Sequence, residues 1–557
     1  MTRGIGVGAA FAALWTVGCG NGGRSSLAPQ NVFPSRDALE AIASAPAPAR
    51  KEARVRLAPS LVIDPSQTPE SSPEEAIIAA KHASLGLTPT RALRCAADQI
   101  ARFYDAHTAF PDDRARAYIA SVCGYHGAII SPSVIQAQKN DATDAQLQEV
   151  LAGGMAAPAS MAGGQFGAAS VLREGRGTLV AVFAKPSADV EMTWDDARAH
   201  VTLRGVVKKP AQIISALVNK GETEVVTCAR APKVAPPAFE LTCPVEPGEE
   251  PWVSVVARAH GAVLESAVAQ TLLRRDPAAP FTLAPPAPSS PGGDGAPALL
   301  AAINARRAAA KLAPLAISPK QSDLNARLVP HFFGATAEVS ERIALGLLAG
   351  WEVGGTIRDG GFYATSLGSA TSGGAWTAFA CEMPLGRHVL LDANMRSVAI
   401  GLGPGASALV STYAFFDGVD HKADAHHVLV NLTEARVARG LPKPVPIAGL
   451  TYLARLAEKV RDGEAEPLAA LDEALSAEAN RAAQPLSGWV ATALDLDGIE
   501  LPAELLKPGP LTVGVEVTHA KMPDAAWGYY VVYFVVPKEA PQRVAGAPGP
   551  RKSASAR

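Results

Sequence analysis

The densest group of side chains able to hold a metal ion is His421, Asp424, His426 and His427. Imidazoles and carboxylates are ligand types that suit zinc. A site also needs fixed geometry, and these four fall between two predicted domains, in a segment read as a solvated linker. Further on, Glu516 and His519 stand three residues apart on a predicted strand, which puts them on opposite faces. No HExxH, Walker loop or GxSxG elbow occurs. Gly401-x-Gly403-x-Gly405 has the look of a phosphate loop, but it joins two predicted strands instead of opening a helix, so a hairpin turn is expected.

The chain that must position these groups has 557 residues, room for about three to five domains. Hydrophobic residues make up 48% and charged residues 19%, enough for buried cores. The formal charge of −2 leaves no basic excess for a phosphate backbone, so nucleic acid is not an expected partner. No cofactor is implied. No apolar run reaches the ~18–20 residues of a membrane-spanning helix.

Arg3, the apolar stretch Ile5 to Val17 and the small residues around Cys19 read as a leader over 1–18. Small residues just before Cys19 resemble the lipobox of bacterial lipoproteins, which implies lipidation of Cys19 and a membrane partner through that anchor. Thr16 departs from the usual Leu of that motif, and Gly20 suits outer-membrane sorting. The expected location is therefore the outer membrane, or otherwise the periplasm or the exterior. Export permits disulfides. The simplest pairing is Cys95 with Cys123 and Cys228 with Cys243, leaving Cys381 as a buried thiol.

Composition and periodicity divide the rest into a disordered tether at 19–75, an N-terminal helical unit at 76–186, and a β-sandwich of short strands at 187–275. A Pro-rich linker at 276–297 follows. The blocks 298–420 and 424–538 read as helices over antiparallel sheet, and 539–557 as a disordered tail. The fold class is α+β multidomain. In the block at 298–420, Leu299, Leu300 and Ile303 share a helix face. Ser318-Pro319-Lys320-Gln321 reads as a capping box, and Pro330 as the end of that helix. Arg436 repeats the setting of Arg307 after 129 residues, with Leu450, Leu453, Leu456 and Val460 as the next helix face, so a duplicated domain is expected. Residues 76–186 close in a similar pattern and are a candidate third copy.

Asn304-Ala-Arg-Arg307 through Lys311-Leu312-Ala-Pro314-Leu315 resembles the opening helix of CAP domains, the cysteine-rich secretory, antigen 5 and pathogenesis-related superfamily. Trp376 to Gly403 is similar to that family's closing half. The resemblance covers about 298–418 and implies α-β-α sandwich domains in tandem. It also implies a cleft with two His and two acidic residues, which in some members binds a divalent metal. In the closing half the family has Ser-Pro-Gly-His-Arg-x-Asn-Leu-Leu. Aligned on Leu390-Leu391-Asp392, Gly386 takes the histidine's place, and His388 stands two residues late. Gly355 replaces the acid of a Gly-Glu-Asn-Ile motif, His331 comes too early, and 464–510 hold no histidine. Neither copy is expected to keep the tetrad. The expected function is non-catalytic binding or scaffolding at the cell envelope. Two alternatives stand beside it: a divergent CAP-type hydrolase or metal-dependent protease using His331, Glu382 or His388, and an adhesion protein acting through the β-sandwich.

Overall fold

Gly295 is the N-cap of the helix Ala296–Ala309, which begins with Pro297 in its first turn. There the missing N–H forfeits no hydrogen bond. Leu299 and Ile303 are buried as their spacing predicts. Lys311 turns the chain with a φ of 59°, and Ala316–Ile317 then pairs in parallel with Ser397–Gly403. The helix Pro319–Gly334 lies across that strand. Gly401 and Gly403 belong to this contact: a Cβ on Gly401 would stand 2.3 Å from the Asn325 carbonyl carbon, and one on Gly403 2.4 Å from Val329. The glycines therefore serve close approach of helix to strand, which the turn reading missed. Two other local expectations fail. Pro330 lies inside the helix, which runs on to Gly334 and gives up the bond that a backbone N–H at 330 would make to Ala326 O. Gln321 forms no capping box. Its Oε1 accepts from Glu352 N, and its Nε2 faces Asn325 Oδ1.

The computed structural model describes residues 3–6, 13–15 and 33–538, except 49–54, 128–129, 139–142, 259–264, 286–294, 368–372 and scattered single residues or pairs. The unit just begun continues through the helix Ala337–Leu348, the strand Ile357–Ser366, the helices Gly373–Glu382 and Pro384–Leu391, and the hairpin Ser397–Gly403 with Ser407–Phe415. Its strands lie in the order 357–366, 407–415, 397–403, 316–317.

The same order appears twice more. In the C-terminal part it is 486–493, 528–537, 512–521, 445–446, again with the short strand parallel to its neighbour. In the N-terminal part it is 131–138, 176–184, 165–173, 88–89, also with a parallel short strand. The N-terminal unit is thus not purely helical. It has the sheet topology of the other two, with the helix Arg91–His107 packed on it. Each sheet needs one helix layer to bury its apolar residues, which makes the whole α+β.

Between the first two of these units in the chain lies the sandwich. Ala188–Asp195, His200–Val207, Ala229–Arg230 and Ala238–Pro244 form one sheet; Ile213–Lys220, Glu224–Thr227, Trp252–Arg258 and Glu265–Leu272 belong to the other. Val201, Leu203, Ala216, Val218, Val253 and Val255 fill one core between them. Cys228 joins Cys243 there, and Cys95 joins Cys123 in the N-terminal unit. Cys381 is a buried free thiol, pushed up to about 11 by that burial.

Several segments read from composition as spacers carry structure. Within 19–75, Arg36–Ser44 is a helix capped by Ser35, with Leu39 fully buried. Leu61–Ile63 pairs with Phe281–Leu283 from the segment read as a linker. Ala/Pro/Ser averages hide these short apolar anchors. In the leader reading, Arg3–Gly6 and Ala13–Trp15 stand apart from the fold. In the full chain Arg3–Gly6 pairs with 265–266 and 361–364, and Ala13–Trp15 with 490–492. Cys19 and the tail 539–557 lie outside the described residues.

The chain divides into two compact units, Val32–Phe415 with Arg3–Gly6, and Phe416 onward with Ala13–Trp15. The expected break at 276–297 does not separate bodies. Arg387 Nη1 donates to Gly221 O and Glu224 O, and Asn219 Nδ2 donates to Glu382 O at 2.6 Å. Buried polar groups that pair across the segments bind them together.

Candidate functional site

Two arginines anchor the repeated architecture. Arg307 and Arg436 are 0% and 1% exposed. Arg307 donates to the carbonyls of Ala313, Leu390, Asp392 and Met395. Arg436 donates to those of Pro442, Leu505, Lys507 and Gly509. Each ties the opening helix to the chain that leads into the closing hairpin. In the N-terminal unit Lys81 has this role, with Nζ 2.5 Å from Gly153 O and 3.0 Å from Met155 O. A planar guanidinium with five donors can satisfy several buried carbonyls at once.

The position that the CAP resemblance assigns to a histidine is Gly386. A Cβ built there would stand 2.3 Å from Ala380 O and 2.9 Å from the Tyr363 ring. Tyr363 is itself buried against Trp376, with ring centroids 5.8 Å apart. Protein atoms already occupy the direction a side chain would take.

The other sequence candidates of that unit are dispersed. His331 is buried in the helix Pro319–Gly334. His388 sits in the helix Pro384–Leu391, and burial holds its imidazole below the ordinary range. Glu382 accepts from Arg114 Nε at 2.8 and 3.1 Å. That ion pair spans 268 residues of sequence and sets Glu382 to joining the N-terminal unit to this one.

The linker reading of His421 to His427 is corrected. His421 is the first residue of the helix His421–Val437, whose N-cap Asp420 accepts from Lys422 N and Ala423 N. One turn on, Asp424 Oδ2 lies 3.0 Å from His421 Nδ1. His426 and His427 face solvent and do not join them. The partner that joins is His519, from the strand Thr512–Lys521, with Nδ1 2.9 Å from His421 Nε2. Phe416 stacks on His519 at 4.2 Å with an interplanar angle of 10°, and also meets Tyr530 edge-on. Burial, then the imidazole of His421 beside it, pushes His519 down to about 4. Glu516 is on the other face of the strand, as expected: it pairs across to Tyr533, where His519 pairs to Tyr530. Burial raises its carboxyl.

Among the described residues no group of three or more His, Cys, Asp or Glu is placed to enclose a metal ion. The sandwich carries a surface depression of about 320 Å³ lined by Asp189, Glu191, Arg204 and Glu240, in which Arg204 is already paired with Glu240. The arrangement at His421 is a carboxylate–imidazole–imidazole chain, able to pass or share a proton or to offer two nitrogens to one acceptor.

No family model and no curated protein matches the chain. Among solved structures it is similar to a cysteine-rich secretory protein from Staphylococcus aureus subsp. aureus Mu50. That match has 9% identity, covers 41% of this chain and 83% of that one, and has a TM-score of 0.17, too low to assign anything to this chain.

Proposed function

We propose that this chain is an exported, lipid-anchored protein that binds or scaffolds at the cell envelope through CAP-like units, without catalysis. The observation that carries this reading is Gly386. Where the resemblance calls for an imidazole, the Ala380 carbonyl and the Tyr363 ring fill the space. Helix, buried arginine and closing hairpin recur as a framework, and crowding at Gly386 supports the loss of the polar group there. Glu382, the acidic candidate in this unit, is held by Arg114. Two disulfides fit an oxidising compartment. Among the described residues no helix is long and apolar enough to cross a membrane, and the proposed anchor is lipid on Cys19. The partner is an envelope or extracellular component.

Metal analysis of the purified chain and of His388→Ala tests the non-catalytic reading. The expected result is the same metal content in both. Stoichiometric zinc that disappears in His388→Ala would overturn it in favour of a metal-dependent hydrolase. Fractionation tests the anchor: Cys19→Ala should release the protein from membranes, and an unchanged membrane fraction would count against lipidation.

A further inference from the structure

The imidazole pair of the C-terminal unit is built with more care than a surface contact needs. His421 is fixed at one nitrogen by Asp424. His519 is held by the flat face of Phe416 and by its place opposite Tyr530 on the hairpin. The remaining nitrogen of His421 points at His519 across 98 residues of sequence. We propose that His421 and His519 form a two-imidazole binding site for a divalent transition metal, with Asp424 as the carboxylate that orients His421.

The geometry supports a shared ion. The ring centroids are 5.1 Å apart. Two imidazoles on one tetrahedral ion, at metal–nitrogen distances of ~2.0–2.1 Å, have centroids about 5.2 Å apart and nitrogens about 3.3 Å apart. The ring centres therefore already stand at the right separation. Binding an ion requires each ring to tilt so that the nitrogens open from 2.9 Å to the coordinating distance. As it stands, the contact holds one proton between the two nitrogens; when an ion takes its place, Nδ1 of His519 gives that proton to water and the ring takes one at Nε2, so both imidazoles bind as neutral donors. Asp424 accepts from Nδ1–H of His421, which leaves Nε2 as the lone-pair nitrogen. This carboxylate–histidine–metal order is the usual outer shell of such sites.

The site has two protein donors, so water completes the coordination. That makes it an exchangeable site that favours Cu²⁺ over Zn²⁺ in the ordinary affinity series. It lies on the opening helix of the last unit, and it is separate from the position of Gly386. It stands whether or not the scaffold reading does, because that reading is tested at His388 and this one at His421 and His519.

The test is calorimetric titration of the full, metal-stripped chain with Zn²⁺, with metal content after dialysis as a second readout. The expected result is one equivalent bound, with affinity falling at least tenfold in His421→Ala and in His519→Phe. The phenylalanine keeps the stack on Phe416 and removes the ligand. Asp424→Asn should weaken binding about 10–100-fold. A double His426→Ala, His427→Ala variant should bind as the wild type does. Absence of uptake, uptake unchanged by both His421→Ala and His519→Phe, or uptake lost in the His426/His427 variant would each overturn the proposal. Circular dichroism of each variant separates lost ligands from lost fold. If His421→Ala fails to fold, His519→Phe alone decides.

Discussion

Arg307 and Arg436 stand 129 residues apart and play the same structural part. Each is wholly buried and donates to four backbone carbonyls at matching places in its own unit. In both, Nε reaches the carbonyl six residues ahead, and Nη1 holds two carbonyls spaced two residues apart. The first expectation follows from this. Arg436→Met should lower stability by about 3 kcal/mol, since hydrogen bonds to a charged donor are lost and carbonyls are left dry, offset in part by relief of a buried charge. Arg436→Lys should rescue little, because an ammonium lacks the fork. Urea midpoints of the full chain measure this, and an unchanged midpoint would remove the arginine from the framework.

Gly386 gives a second test. Gly386→Ala places a methyl 2.3 Å from Ala380 O, and overpacking of this kind costs about 1–3 kcal/mol. Gly386→His should cost more and add no zinc to what the wild type binds. A stable Gly386→His variant that binds an equivalent of zinc beyond the wild type's would mean the cleft is open after all.

Arg114 and Glu382 are 11% and 29% exposed at their side chains. Partial screening puts their coupling near about 1–2 kcal/mol. A double-mutant cycle with Arg114→Met and Glu382→Gln should return that coupling in thermal unfolding. Zero coupling would mean that the pair does not help join the segments. Loss of an activity at full stability in Glu382→Gln would make Glu382 catalytic instead.

His388 sets a pH dependence. Burial lowers its folded-state pKa, against a smaller opposing pull from Asp392. The folded chain therefore resists a proton that the unfolded chain accepts near pH ~6.5. Stability present above about pH 6.5 should fall as pH drops from there through the lower folded value. His388→Gln should flatten that part of the profile. Equal slopes in both proteins between pH 7 and 5 would show that this imidazole contributes nothing.

The helix faces at Leu299 and Ile303 and at Leu453, Leu456 and Val460 were legible in the sequence, because a helix buries residues by local spacing alone. The 129-residue recurrence was legible for the same reason, and so were both cysteine pairs, whose members are 28 and 15 residues apart. The helix at Arg36–Ser44 was not, because its nine residues lie in an Ala/Pro/Ser-rich stretch whose average composition masks them. The meeting of His421 with His519 was hidden too. The sequence supplied an imidazole at each place, but only the packing of the opening helix on the closing hairpin brings together groups 98 residues apart and selects His519 over the adjacent His426 and His427. Local order follows from the period of the chain. Which polar groups converge depends on how layers stack, and no short-range pattern encodes that.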